Sequence, residues 1–236
     1  MSINDKIRKL IYERYGNKDN GEIIAYDGLV CEEEFIGLTF LLKEAVKEQI
    51  EKGEDYKKED GFFDLVATAR QEALKQREFD FNNLKHWREL CYWVSAFYGE
   101  IFNDILENKV KCGYNLAKVS IVNIKKIAGE STTHPKVLKE TMNNNAEKSL
   151  LKAELKLLQT TEKKLIVMCG GTFDYAYRLY NEEKPEICRL NCGTRCFNVN
   201  GVIFIEFIHP SSRICDMAKY AYAKEIFKEI RAENLI

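Results

Sequence analysis

A histidine closes an apolar run near the end of the chain, in Phe204-Ile205-Glu206-Phe207-Ile208-His209-Pro210-Ser211-Ser212-Arg213. Proline breaks the run after His209, two serines follow, and a helical pattern begins. That order sets an imidazole and small donors at the carboxyl end of a strand. In open α/β sheets this edge is where ligands bind. Three further apolar runs end in comparable groups. Leu38–Leu42 is followed by Lys43-Glu44, Val119–Asn123 ends in a carboxamide, and Leu165–Cys169 runs into Gly170-Gly171-Thr172. Each group also has a plainer role: a solvated helix start, a turn former, a close approach of strand and loop, a core histidine. Around one crevice they have a chemistry. Asn123 can read the edge of a nucleobase by a paired donor and acceptor. A carboxylate can orient water or stabilise positive charge on a sugar. An imidazole can stabilise negative charge on a departing base. That is equipment for breaking an N-glycosidic bond.

The elements that must position these groups follow from periodicity. Ile3 to Tyr15 reads as a helix. Phe62 to Lys75 and Asn83 to Glu107 read as helices, the second rich in aromatics. Asn145 to Gln159 is amphipathic, with Leu151, Leu155 and Leu158 at helical spacing. Thr172 to Tyr180 and Ser212 to Glu233 are helical. Asn200-Gly201 is a hairpin signal joining a short strand at 194–199 to the run from Val202. Strands alternating with helices imply parallel pairing. The expected fold is a three-layer α/β/α domain with a central, mainly parallel sheet of about four strands.

The chain has 236 residues, 45% of them hydrophobic, enough to bury a substantial core. Only three prolines occur, with no Pro/Gly/Ser-rich linker, so one domain over 1–236 is expected. It carries an N-terminal helical extension (about 1–36) and a helical insertion (about 47–115). The net charge of −1 excludes a strongly basic nucleic-acid module, so any such contact must be local. No apolar stretch reaches the roughly 18 residues of a membrane span. The start, Met1-Ser2-Ile3-Asn4-Asp5-Lys6, has no signal-peptide pattern. A cytoplasmic location with no membrane partner is expected, and the eight cysteines are then expected as thiols or metal ligands.

The motifs resemble those of the uracil-DNA glycosylase superfamily. His209-Pro210-Ser211-Ser212 resembles its HPS motif. Asn123-Ile124-Lys125-Lys126 resembles the N-x-x-K segment of its iron-sulfur branch, and Lys43-Glu44-Ala45-Val46 that branch's G-E-A-P segment. Glu154-Leu155 and the run from Leu165 to Gly170 resemble its E-L helix and the strand-glycine turn that follows. The order matches from about residue 37 to 220. The resemblance implies a glycosylase that acts on an extruded base in DNA. Glu44 and His209 would be catalytic, and Asn123 would read the base beside Gly170. Phe62 or Phe63 would stack on the base. Lys125, Lys126, Ser211, Ser212 and Arg213 would contact DNA.

Lys43 and Val46 replace the glycine and proline of the first motif. Ile127 stands where the iron-sulfur branch has a cysteine, and no N-terminal C-x-x-C is present. No cluster and no other cofactor are therefore expected. Cys188, Cys192 and Cys196 are spaced C-x3-C-x3-C, but zinc sites need four ligands and only Cys215 is a further candidate. Free thiols on a hairpin are the expectation, with no metal. Two other functions fit the same residues: a base-, nucleotide- or protein-binding chain that has lost catalysis, and a hydrolase of free nucleosides.

Overall fold

The computed structural model describes residues 1–16, 22–46, 61–74, 85–129, 134–159 and 164–233. Helix α1 (Ile3–Tyr15) opens on a capping box, in which Ser2 and Asp5 satisfy each other's backbone N–H groups. Strands β1 (Ile24–Tyr26), β2 (Gly28–Leu29) and β3 (Leu38–Val46) follow. Then come β4 (Phe62–Asp64) and α2 (Leu65–Leu74). Helices α3 (Lys85–Phe97), α4 (Phe102–Glu107) and α5 (Lys109–Tyr114) lead through a 3-10 turn (Asn115–Lys118) to β5 (Val119–Gly129). Helices α6 (Pro135–Asn143) and α7 (Asn145–Leu157) precede β6 (Leu165–Cys169) and α8 (Phe173–Leu179). The hairpin strands β7 (Cys188–Arg189), β8 (Arg195–Val199) and β9 (Val202–Phe207) lead to α9 (Asp216–Ala232).

The four main runs form the parallel centre of the sheet, in the order β5-β3-β6-β9. The whole sheet is larger than the expected four strands. Among the described residues it has nine, ordered β4-β1-β5-β3-β6-β9-β8-β7, with β2 also on β5. It is mixed, because β1 and β2 run antiparallel to β5, and β7 and β8 form an antiparallel edge. Four of the added strands, β1, β2, β4 and β7, have two or three residues, too short for periodicity to reveal, while β8 is the short strand expected before Asn200-Gly201. The N-terminal extension is therefore not purely helical, and Phe62–Asp64 is a strand inside the expected helical insertion. Positions 47–60 and 75–84 of that insertion lie outside the described residues. The expected helix at 83–107 is broken at Gly99, whose φ of 75° ends α3.

Two faces of the sheet carry separate cores. On one, Phe40, Ile121, Val167, Ile205 and Phe207 meet α2 to α5 and α9. On the other, Leu41, Val122, Ile166, Met168 and Phe204 meet α1 and α6 to α8. Odd and even positions along each central strand thus go to opposite layers. The chain moves from β3 to β5 over the first face, then back to β6 and on to β9 over the second. The described helices that follow β3 thus lie on the first face, and α8, which follows its neighbour β6, lies on the second. In open α/β sheets, ligands bind at the carboxyl ends of the strands beside such a divergence. Among the described residues, no helix is long and apolar enough to cross a membrane.

Trp93 joins α3 to the sheet. It is wholly buried, 4.7 Å from the Phe207 ring at a steep angle and 6.0 Å from Phe40. Trp93→Ala should cost about 3–5 kcal/mol, read as a fall in the urea midpoint.

Candidate functional site

His209 follows β9 by two residues, and its ring is fixed locally. The backbone N–H of Ser211 donates to Nδ1 at 3.1 Å, and the Ser211 hydroxyl lies 2.6 Å from the same atom. A backbone N–H can only donate, so Nδ1 accepts and the neutral imidazole carries its proton on Nε2. The Ser212 N–H donates to the His209 carbonyl at 2.9 Å and closes the turn. The ring lies against Gly170, where a Cβ would come within 2.4 Å of Cδ2. Gly170 also has φ +65°, so both space and backbone require glycine there.

The other two strands run past the expected ends. β3 continues through Lys43 and Glu44 to Val46, and β5 through Lys125 and Lys126 to Gly129. Their charges do not stop the strands because they pair across them. Glu44 stands opposite Lys125 in the ladder and forms an ion pair with it. The register then shifts between Glu44 and Val46. The irregularity brings Gly129 against the Glu44 carboxylate, where a Cβ would lie 2.3 Å from Oε2.

Register sets the common level. Leu42 pairs with Asn123, and Cys169 pairs with Phe207 one residue beyond the Leu41–Met168 pair. Asn123, Leu42, Cys169 and Phe207 therefore form one row. Two residues further on, Lys125 and Glu44 form the next pair, and His209 lies two residues past the end of β9, outside the ladder. Asn123, Lys125 and Glu44 are in phase with the sheet face under α3 and α9. At that level β6 has already turned away at Gly170-Gly171.

Asn123 is 1% exposed, and a residue not singled out from sequence orients it. The Asp27 carboxylate accepts from the Asn123 backbone N–H at 2.6 Å and from its side-chain amide at 2.8 Å. The same carboxylate pairs with Lys126, whose Nζ also donates to the Asn123 carbonyl at 2.7 Å and lies 2.7 Å from Glu154. Burial disfavours the Lys126 charge, but Asp27 and Glu154 outweigh it and raise its pKa. Asn123 Oδ1 has no hydrogen-bond partner among the described residues. The amide is thus held with its acceptor spare.

Several expected contacts need correction. Lys126 is 1% exposed on the opposite face and presents no ammonium to a phosphate. Lys125 is committed to Glu44, with 17% of its side chain exposed. Phe62 and Phe63 are buried in β4, at the far edge of the sheet, five strand positions from β9. Phe62 stacks on Tyr26 at 4.8 Å, so it belongs to the core rather than to a base-stacking wall. Ser211 and Arg213 are exposed beside His209, while the Ser212 hydroxyl is buried and lacks a hydrogen-bond partner among the described residues.

A buried lysine holds the His209 turn from below. Lys219 on α9 is wholly buried and donates to the Pro210 carbonyl at 3.1 Å. It pairs with Glu89 of α3 at 2.9 Å and with Asp216 at 3.5 Å, and Arg88 reaches Asp216 at 3.0 Å. The sequence signal for Lys219 is a cation in phase with Ala223, Ile226 and Ile230 on an apolar helix face. For Asp27 it is a lone acid within the apolar run Ile23–Val30.

Among the described residues, no group of three or more His, Cys, Asp or Glu is arranged to hold a metal ion. Cys188, Cys192 and Cys215 are exposed free thiols, and Cys196 is a buried one. No protein-family model, curated protein or solved structure matches the chain.

Burial pushes the Glu89 carboxyl from its usual 4.5 up to about 7, against the pull of Lys219. The folded chain therefore holds a proton that the unfolded chain has lost across that window. Stability should be greatest on the acid side and fall as pH rises through it, by at most about 1.4 kcal/mol per pH unit. Glu89→Gln should flatten that segment of the profile, measured by urea unfolding at successive pH values.

Proposed function

We propose that this chain is a monofunctional DNA glycosylase that hydrolyses the N-glycosidic bond of an extruded uracil or other modified base. The observation that carries the reading is the set of Glu44 and Asn123 in phase on neighbouring strands and His209 just past the end of β9, its imidazole held at Nδ1 by Ser211 and packed against Gly170. A base in the crevice would meet the spare Oδ1 of Asn123, which favours an edge that presents an N–H. Asp27 would act through Asn123 by fixing the orientation of its amide. His209 would donate from Nε2 to the base as it departs with negative charge. Glu44 would orient the attacking water, its carboxylate held by Lys125. DNA would meet the protein at Ser211 and Arg213 around the turn. With a net charge of −1 this attraction is local, so non-specific binding should be weak and should fall as salt rises.

A second reading has its own support. The Glu44 side chain is only 4% exposed and is paired with an ammonium, which suits binding better than water activation. On that reading the crevice recognises a base or nucleotide without cleaving it.

Abasic-site formation on DNAs carrying different modified bases separates the two. His209→Ala should lower the chemical step about a hundredfold or more, with little change in DNA affinity. Asn123→Ala should weaken base discrimination as well as rate. Single-turnover kinetics and competition binding read both effects. Wild-type excision by His209→Ala would reject the proposed chemistry, and base binding without any cleavage would favour the second reading.

A further inference from the structure

We propose that Cys188 and Cys196 form a redox pair, which closes to an intramolecular disulfide by exchange with a small disulfide of the glutathione class. The two residues are direct partners in the antiparallel β7–β8 ladder. The hairpin sets their spacing. The Gly193 N–H donates to the Leu190 carbonyl at 2.8 Å, and the Leu190 N–H donates to the Thr194 carbonyl at 2.9 Å. The Leu190 N–H bonds Thr194 while Gly193 (φ 85°) returns the bond as a one-residue bulge, so Arg189 and Arg195 form the next, non-hydrogen-bonded pair and Cys188 and Cys196 the hydrogen-bonded pair beyond it. Such pairs hold their Cα atoms about 5.5 Å apart, within the disulfide range, but their Cβ atoms lie wider than in a non-hydrogen-bonded pair, so the bridge draws the edge strand β7 inward and is readily reduced again. Directly opposed residues share a face, so the two side chains leave the hairpin on the same side.

The remaining thiol of the motif is held elsewhere. Glu229 of α9 accepts from the backbone N–H groups of Asn191 and Cys192, at 2.7 and 3.1 Å. The Cys192 thiol donates to the Thr194 hydroxyl at 3.3 Å, and that hydroxyl lies 2.6 Å from the Tyr222 hydroxyl. The tip is thus pinned to α9, and Cys192 sits in the turn rather than in the ladder.

Exposure orders the steps. Cys188 is exposed and Cys196 is buried. Burial, with Cys188 nearby, also pushes the Cys196 thiol up to about 11. The Cys188 thiolate, having given up its proton, attacks one sulfur of the small disulfide. The S–S bond breaks, and the leaving thiolate takes up a proton. Cys196 then loses its proton and attacks the Cys188 sulfur, expelling the second small thiol. Two protein thiols are oxidised, and one small disulfide is reduced to two thiols. The product joins the edge strand β7 covalently to β8.

The test is incubation of the native full chain with oxidised glutathione, an acid quench, alkylation, and peptide mapping without reduction. The expected product is a Cys188–Cys196 crosslink with no retained glutathione, reversed by dithiothreitol and formed equally in Cys192→Ser. Cys188→Ser, at an exposed site that should leave folding intact, should give no crosslink to Cys196. A stable glutathione adduct at Cys188, or a crosslink from Cys188 to Cys192 or Cys215, would overturn the proposal.

Discussion

The Asp27 carboxylate is the constraint on which the candidate site depends. It is wholly buried, yet it receives a backbone N–H, a side-chain amide and an ammonium from one stretch of β5. Each contact offsets part of the cost of removing a carboxylate from water. The contacts also fix three things together. The β1–β2 segment is docked against β5 at Asn123. The Asn123 amide is held in one orientation. Lys126 is drawn to the opposite face, where Glu154 of α7 meets it. Loss of any one member leaves a buried charge or donor without its partner, a defect that typically costs 3–5 kcal/mol. A sheet, a helix layer and a candidate base reader are in this way parts of a single ionic network.

A second network does the same for the other end of the candidate site. Lys219 is buried beneath the His209 turn, and its ammonium is shared among the Pro210 carbonyl, Glu89 and Asp216. The carbonyl contact fixes the turn directly, and the two carboxylates keep the charge tolerable in a dry setting. The imidazole is then held by contacts on three sides: Ser211 at Nδ1, Gly170 against the ring, and the Lys219-held carbonyl in the backbone that follows. Little conformational freedom is left for the ring, which is the state that a preorganised donor requires.

The sequence made the central architecture readable because four short, mostly apolar runs stood between helical patterns. The Asn200-Gly201 turn was equally plain, and Asn200 does adopt a φ of 53° between paired Val199 and Val202. What escaped has two physical causes. Strands of two or three residues, such as Ile24–Tyr26 and Phe62–Asp64, are defined by their neighbours rather than by period. Charged residues were read as strand ends, whereas Glu44 and Lys125 satisfy each other across the ladder and let β3 and β5 run on. Of the site, His209, Gly170, Glu44 and Asn123 were legible as polar or small residues at interruptions of apolar runs. Asp27 and Lys219 show only as charges within apolar patterns, and Glu89 not at all, because the role of a buried charge is set by partners that are distant in sequence.

The period of two then limits what each residue can do. A strand alternates its side chains between faces, so Asn123 and Lys125 share a layer while Lys126 must enter the other. The run Asn123-Ile124-Lys125-Lys126 therefore does not act as a single patch. Its first lysine neutralises Glu44 beside the candidate site, and its second neutralises Asp27 and Glu154 behind it. Neither ammonium remains as a free cation for a polyanion, although both are needed to keep carboxylates in their places. On the proposed reading, contact with nucleic acid falls to the exposed residues after His209, among them Ser211 and Arg213. The strand lysines act as buried counter-charges that hold the site in shape.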